Sequence, residues 1–461
     1  MNILLIALTL VICGAVIFIK PSEAPGALAM CAAVSLPAVF ILARNRHDKT
    51  FLLRLFLLGL LVRIIIGTII FVGNMEEFFG GDAHTYDYFG QGLVQSWRGN
   101  EFYDTAYSNF VASGASAWGM IYLVAIIYEL IGTNIFAVQL VNASVGSSTA
   151  IIVYYVAQTL FNNIRVSRVA AVLVAFFPSL ILWSSQALKD GLIILTLALA
   201  ILATLRLMEK ITARYVVILT LSLMALLSLR FYIFYMMSAA VAGSFIIGMK
   251  SLSAQSFIHR FVAVAAIGLA FTWFGVLQSA GAYFDQYANL QMIQTAREDQ
   301  ASAESGFGKD VDVGTAEGAL SAIPMGLVYL LFAPFPWQFT TLRQSITLPE
   351  MIVWWFSFPL LVLGLWYSIK HRLREVSPIL MFTTMLTLAY SLFQGNVGTA
   401  YRQRSQLLVF YFIFVAVGAI IMKERAEDRR RQQQLAKQEL AELQAARVIA
   451  RRKAAVGSSV R

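Results

Sequence analysis

The stretch FFGGDAHTYDYFG, residues 78–90, follows directly on a long apolar run and gathers two aspartates, a histidine and two tyrosines. Asp82 and Asp87 are carboxylates able to take a proton from an acceptor hydroxyl or amine, or to share a divalent cation. Tyr86 and its aromatic neighbours offer faces on which a sugar can stack, and His84 is a candidate binding group, a lone interfacial histidine being more often a simple hydrogen-bonding side chain. Further ionisable groups sit where other apolar runs meet: Lys189 and Asp190 in LWSSQALKDGLII, Arg230 in LSLRFYIFY, and Arg402 and Arg404 in GNVGTAYRQRSQ. Arginine and lysine neutralise phosphate, the guanidinium with two-pronged geometry. Carboxylates facing cations suit attack on a sugar or phosphoryl group carried by a lipid phosphate. The expected roles are therefore catalysis for Asp82, Asp190 and Asp87, phosphate or substrate binding for Lys189, Arg230, Arg402, Arg404, Tyr86 and His84, and a shared magnesium or manganese ion on Asp82 and Asp190.

The elements that must hold these residues are set by the composition. Of 461 residues, 59% are hydrophobic and 13% charged, the profile of a polytopic membrane protein. The apolar runs are continuous over helix-spanning lengths and do not alternate with period two, which excludes a β-barrel and predicts an all-α chain. Candidate spans are 2–19, 26–43, 51–72, 137–160, 168–184, 190–208, 214–229, 231–249, 260–278, 351–369, 376–393 and 407–422, about twelve crossings. The first lacks a basic start and a cleavage site, so it reads as a retained span and not a signal peptide. Cys13 and Cys31 lie within apolar runs and support neither a disulfide framework nor a thiolate metal site.

With the N-terminus cytoplasmic, the inner connections carry Arg44, Arg46, Lys49, Arg165, Arg168, Arg206, Lys210, Arg214, Lys250, Arg260, Lys370, Arg372 and Arg374 against Asp48, Glu209 and Glu375. That is the positive-inside pattern, and it places loops 73–136 and 279–350 outside. It also requires the short apolar segments 118–132 and 322–334 to be interfacial or re-entrant. Residues 1–422 form the membrane domain, and 423–461 a charged, helical cytoplasmic tail lying near anionic lipid. The aromatics of FPWQF (335–339) and WWFSF (354–358) read as an interfacial belt. Asn142-Ala-Ser matches a glycosylation sequon but falls within a span and is discounted. The net charge of +10 follows the membrane-inside pattern and the tail, so no nucleic-acid partner is expected.

The order of these features resembles polytopic glycosyltransferases of the GT-C fold, the superfamily that includes the dolichyl-phosphate-mannose protein mannosyltransferases and the bacterial lipid A aminoarabinose transferases. The likeness rests on Asp82 followed by Tyr86, the short helix 118–132, and the run 133–195 with its small-residue span, basic turn, Pro-Ser ending and acidic Asp190. It covers roughly 74–250. The resemblance implies an extracytoplasmic, inverting transfer from a polyprenyl-phosphate sugar to a glycan, lipid or protein acceptor, with Asp82 at the catalytic or metal-associated position and Asp190 at the second acidic one. Many members carry an Asp-Glu pair where this chain has Asp82-Ala83, which leaves the division of labour between Asp82 and Asp87 open. A polymerase or ligase of pyrophosphate-linked glycans and a lipid flippase are the rival readings, and a bacterial inner membrane is the expected location.

Overall fold

The computed structural model describes residues 3–44, 48–105, 117–247, 290–303, 305–338 and 342–458, and the described elements are helices joined by short connections. The expected span 260–278 lies outside the described residues, as do residues 279–289 of loop 279–350. Among the described residues six helices are long and apolar enough to cross a bilayer, and a seventh span results if one bent pair is counted as a single crossing. The chain is thus an all-α polytopic membrane protein, as its apolar runs predict.

The helix Ile135–Phe161 is the hub. It is buried along most of its length and packs against Ala24–Arg44, Lys49–Val72, Ile164–Phe176 and Asp190–Glu209. Small residues, Ala143, Gly146, Ser147 and Ala150, give its neighbours the close approach that membrane helices use in place of a hydrophobic drive. Asn134 starts it by accepting the Ala137 amide at 3.1 Å, and Asn162 ends it in the left-handed conformation. Asn163 starts the next helix in the same way, accepting from the amides of Arg165 and Val166.

The expected span 168–184 is broken. Pro178 has no N–H to give and holds Phe177 extended, so Ile164–Phe176 and Pro178–Ser184 meet at 56°. A non-helical stretch then leads to Asp190, where the next span begins. The helix Leu342–Phe393 breaks at Arg372, between the two expected spans 351–369 and 376–393.

The short helix expected at 118–132 is present as Trp118–Ile131, and the helices Glu76–Phe79 and Asp82–Trp97 precede it among the described residues of the first outer loop. One expectation needs correction. The segment expected at 322–334 is the end of a longer helix, Ala316–Phe332, whose polar first turn hid it from the hydropathy pattern; Thr315 caps it. The tail is helical as expected: the last helix runs from Val397 to Ser458, its side chains exposed over residues 422–444.

Candidate functional site

Three elements meet at the end of the hub. Gly80 turns the chain at φ 136°, a conformation that glycine adopts freely, and the helix Asp82–Trp97 starts two residues later. The expected flexible loop around Asp82 is therefore a helix N-terminus, which directs Asp82 and Tyr86 along one face one turn apart. Asp190 opens its own span and is fully buried. Arg402 lies in the first turns of the helix Val397–Ser458.

Arg402 joins the other two. Its Nε and Nη2 donate to Asp190 Oδ2 at 2.9 and 2.6 Å, and its Nη1 donates to Asp82 Oδ2 at 2.8 Å. The guanidinium carbon lies 5.6 Å from the centre of the Trp183 ring, which holds the fork from one side. Asp190 is sealed, whereas the Asp82 side chain is 49% exposed, so the bridge runs from the interior to the open face. Asp190 Oδ1 is buried and has no partner among the described residues.

Lys189 and Arg230 complete the group. Burial, reinforced by the neighbouring Arg230, pushes the Lys189 ammonium down to about 8 despite the opposing charges of Asp190 and Asp82. Arg230 sits between the helices Ala213–Leu229 and Phe231–Ile247 and donates to Tyr390 Oη at 3.5 Å, while Tyr390 donates to Gln406 Oε1 at 2.7 Å. Tyr86 is buried beside them; burial and then the charges of Asp82 and Asp190 raise its phenol well above the usual tyrosine range. Two carboxylates against three cations leave one net positive charge, ready for an anion.

The other expected residues stand elsewhere. His84 is exposed on the far side of its helix. Asp87 accepts from Tyr128 Oη at 2.5 Å and from Gln91 Nε2 at 3.0 Å, which ties the helix Asp82–Trp97 to Trp118–Ile131. Arg404, 1% exposed, points to the end of the helix Ala316–Phe332, where its Nη1 donates to the carbonyls of Leu331 at 3.1 Å and Ala333 at 2.9 Å. Trp354 and Trp355 donate to the carbonyls of Leu331 and Phe332, so these two of the tryptophans expected in an interfacial belt are helix caps, Trp354 at 1% exposure. The physical reason is common to all three. The last carbonyls of a helix have no partner within it, and at membrane depth no water supplies one.

A magnesium or manganese ion takes about six oxygen ligands. The two carboxylates expected to share one are both bonded to Arg402, and among the described residues no group of three His, Cys, Asp or Glu gathers for a metal. These residues do not fit a resident divalent ion; the guanidinium stands between the carboxylates in its place.

A cavity of about 860 Å³ opens beside the bridge. Its walls are mostly apolar, with Ile66, Ile69, Phe79, Ile181 and Trp183 among them, and Arg402 is one of its polar lining residues. Glu350, buried and accepting from Tyr401 Oη at 2.7 Å, also lines it. Trp183, Tyr390 and Glu350 went unnoticed in the sequence. For Trp183 the signal was present: an aromatic residue six positions before Lys189, on the helix that Pro178 starts.

The dolichyl-phosphate-mannose-protein mannosyltransferase family model matches residues 117–274. This segment is about a third of the chain and holds Trp183, Lys189, Asp190 and Arg230, with Asp82 and Arg402 outside it. The resemblance drawn from the sequence is met there by the family's own pattern. No curated protein matches the chain. Among solved structures, the chain is similar to the archaeal oligosaccharyltransferase AglB from Archaeoglobus fulgidus in complex with an inhibitory peptide and a dolichol-phosphate, at 15% identity and a TM-score of 0.39. That match covers 69% of this chain and 43% of the other, so the chain spans less than half the length of that enzyme.

Proposed function

We propose that the protein is a membrane glycosyltransferase that moves a sugar from a polyprenyl-phosphate donor to an acceptor hydroxyl on the extracytoplasmic face, with inversion at the anomeric carbon. The single observation that carries this reading is Arg402 held between Asp82 and Asp190 with Lys189 and Arg230 close by. The family pattern over residues 117–274 and the positive-inside arrangement support it.

Each residue has a role that its chemistry suits. Lys189, Arg230 and Arg402 bind the donor phosphate and neutralise the charge that grows on it as its bond to the sugar breaks. Asp190 holds Arg402 in place, since a sealed carboxylate gripping two guanidinium nitrogens fixes its plane. Asp82, the exposed carboxylate, takes the proton from the acceptor hydroxyl as its oxygen bonds to the anomeric carbon on the opposite side, and polyprenyl phosphate leaves. The largely apolar cavity that Arg402 helps to line receives the hydrocarbon chain next to that phosphate. The acceptor is a glycan, a lipid or a protein, the enclosing membrane is a bacterial inner membrane, and both termini face the cytoplasm.

The test is reconstitution of the purified protein in liposomes with a panel of polyprenyl-phosphate sugars and mixed acceptors, following release of polyprenyl phosphate. Release with one donor class, together with an inverted linkage in the product, is expected. Release only from pyrophosphate-linked donors, or movement of the lipid across the membrane without covalent change, overturns the reading.

A further inference from the structure

Residues 184–189 connect the bent helix to Asp190, and every one of them is buried. Buried backbone without helical hydrogen bonds needs partners of its own. One side chain supplies two of them. Asn142, fully buried on the hub helix, donates from Nδ2 to the carbonyls of Gln186 at 2.7 Å and Leu188 at 2.8 Å. These carbonyls lie three residues and one residue before Lys189, so one amide group fixes the curve of the backbone as it enters the site.

Neighbours close the grip from both sides. A Cβ at Gly146, one turn along the same helix, would come within 2.4 Å of Ser184 Oγ and 2.6 Å of Arg63 Nε, so only glycine lets the bend approach. Arg63, 1% exposed, donates from Nε to Ser184 Oγ at 2.8 Å and from Nη1 to the Ala175 carbonyl at 2.9 Å, one of the carbonyls left open by the Pro178 break. With the bend held there, Asn142 governs the last stretch.

We infer that Asn142 is a positioning residue, which sets where Lys189 and Asp190 stand by holding the backbone of the segment that carries them. It touches no substrate and acts through Gln186 and Leu188. A residue chosen only for packing would not need two donors, and an aspartate of the same shape would turn both contacts into repulsions. The consequence for catalysis rests on the function proposed above; the placement of Lys189 does not.

The experiment uses the full-length protein in lipid nanodiscs and needs no substrate. Acetylation of Lys189 by acetic anhydride, quantified by mass spectrometry across pH, reports the placement of its ammonium. The wild type is expected to show a midpoint near 8. In Asn142→Leu, which keeps the size but has no donor and no charge, the midpoint moves about one pH unit or more towards that of an ordinary lysine, and Asn142→Ser, which keeps one donor, moves it less. A Ser148→Ala variant on the same helix, with an unchanged thermal midpoint, leaves it in place. A Lys189 profile that stays at the wild-type value in both folded Asn142 variants overturns the inference. Donor turnover then forms a separate arm: a fall in kcat of about tenfold in Asn142→Ser with the profile shifted supports both readings, whereas a shifted profile in a protein that transfers no sugar retains Asn142 and rejects the enzyme.

Discussion

Arg402 grips Asp190 through two nitrogens on one carboxylate oxygen, at 2.9 and 2.6 Å, in a place where Asp190 sees no solvent. Removing one partner of such a pair leaves an uncompensated charge, at a cost of about 3–5 kcal/mol. Arg402→Ala and Asp190→Asn are therefore expected to lower the thermal midpoint as well as abolish turnover. Arg402→Lys keeps the charge but loses the fork, and its kcat falls by about a hundredfold or more with a smaller loss of stability. Unfolding curves and single-turnover rates on the three variants decide this.

The pH dependence follows from Lys189. Its ammonium loses its proton near 8, so it is charged below that value and neutral above it. Affinity for polyprenyl phosphate is thus present at neutral pH and declines as pH rises through about 8, where an ordinary lysine would still be charged. Lys189→Arg is expected to flatten the decline. Dissociation constants between pH 6.5 and 9.5 measure it, and a wild-type affinity constant over that range removes Lys189 from the phosphate site.

Arg404 makes the opposite prediction to Arg402, two residues away. Its Nη1 satisfies the carbonyls of Leu331 and Ala333, and each unsatisfied buried carbonyl costs about 1–3 kcal/mol. Arg404→Leu should destabilise the protein strongly, while the donor KM of the molecules that remain folded is unchanged. A raised KM without loss of stability would return Arg404 to the phosphate site.

Asp87 and His84 are expected to matter little for chemistry. Asp87→Asn keeps an acceptor for Tyr128, and His84 is exposed, so kcat stays within about threefold of wild type in both. Parallel assays with Asp82→Asn separate the two aspartates of the opening motif.

These contrasts also mark what was legible from residue types. Asp82, Asp190, Lys189, Arg230 and Arg402 could be named because ionisable groups at the ends of apolar runs are costly without a purpose, and the fold draws four of them around Arg402. Arg404 could not be told from Arg402, because the carbonyls that claim it belong to a helix more than 70 residues away in sequence. The same holds for Trp354, whose partner is the Leu331 carbonyl, and for Asn142, whose partners are backbone atoms of a segment that only Pro178 makes irregular. Hydropathy expected about twelve spans, of which six or seven meet the length and apolarity of a crossing among the described residues, and it missed that 316–321 continue a helix, since that stretch is short of large apolar residues and its helicity follows from the Thr315 cap. Side chains that serve backbone groups leave no spacing signal.

The central claim is that Asp82 takes the acceptor's proton while the cations hold the phosphate. Its most direct test is to measure, in one preparation of Asp82→Asn, the affinity for polyprenyl phosphate and the single-turnover rate of transfer from a bound donor. Affinity within about threefold of wild type, with a rate at least about a hundredfold lower, is the predicted result. A rate equal to that of the wild type would contradict it.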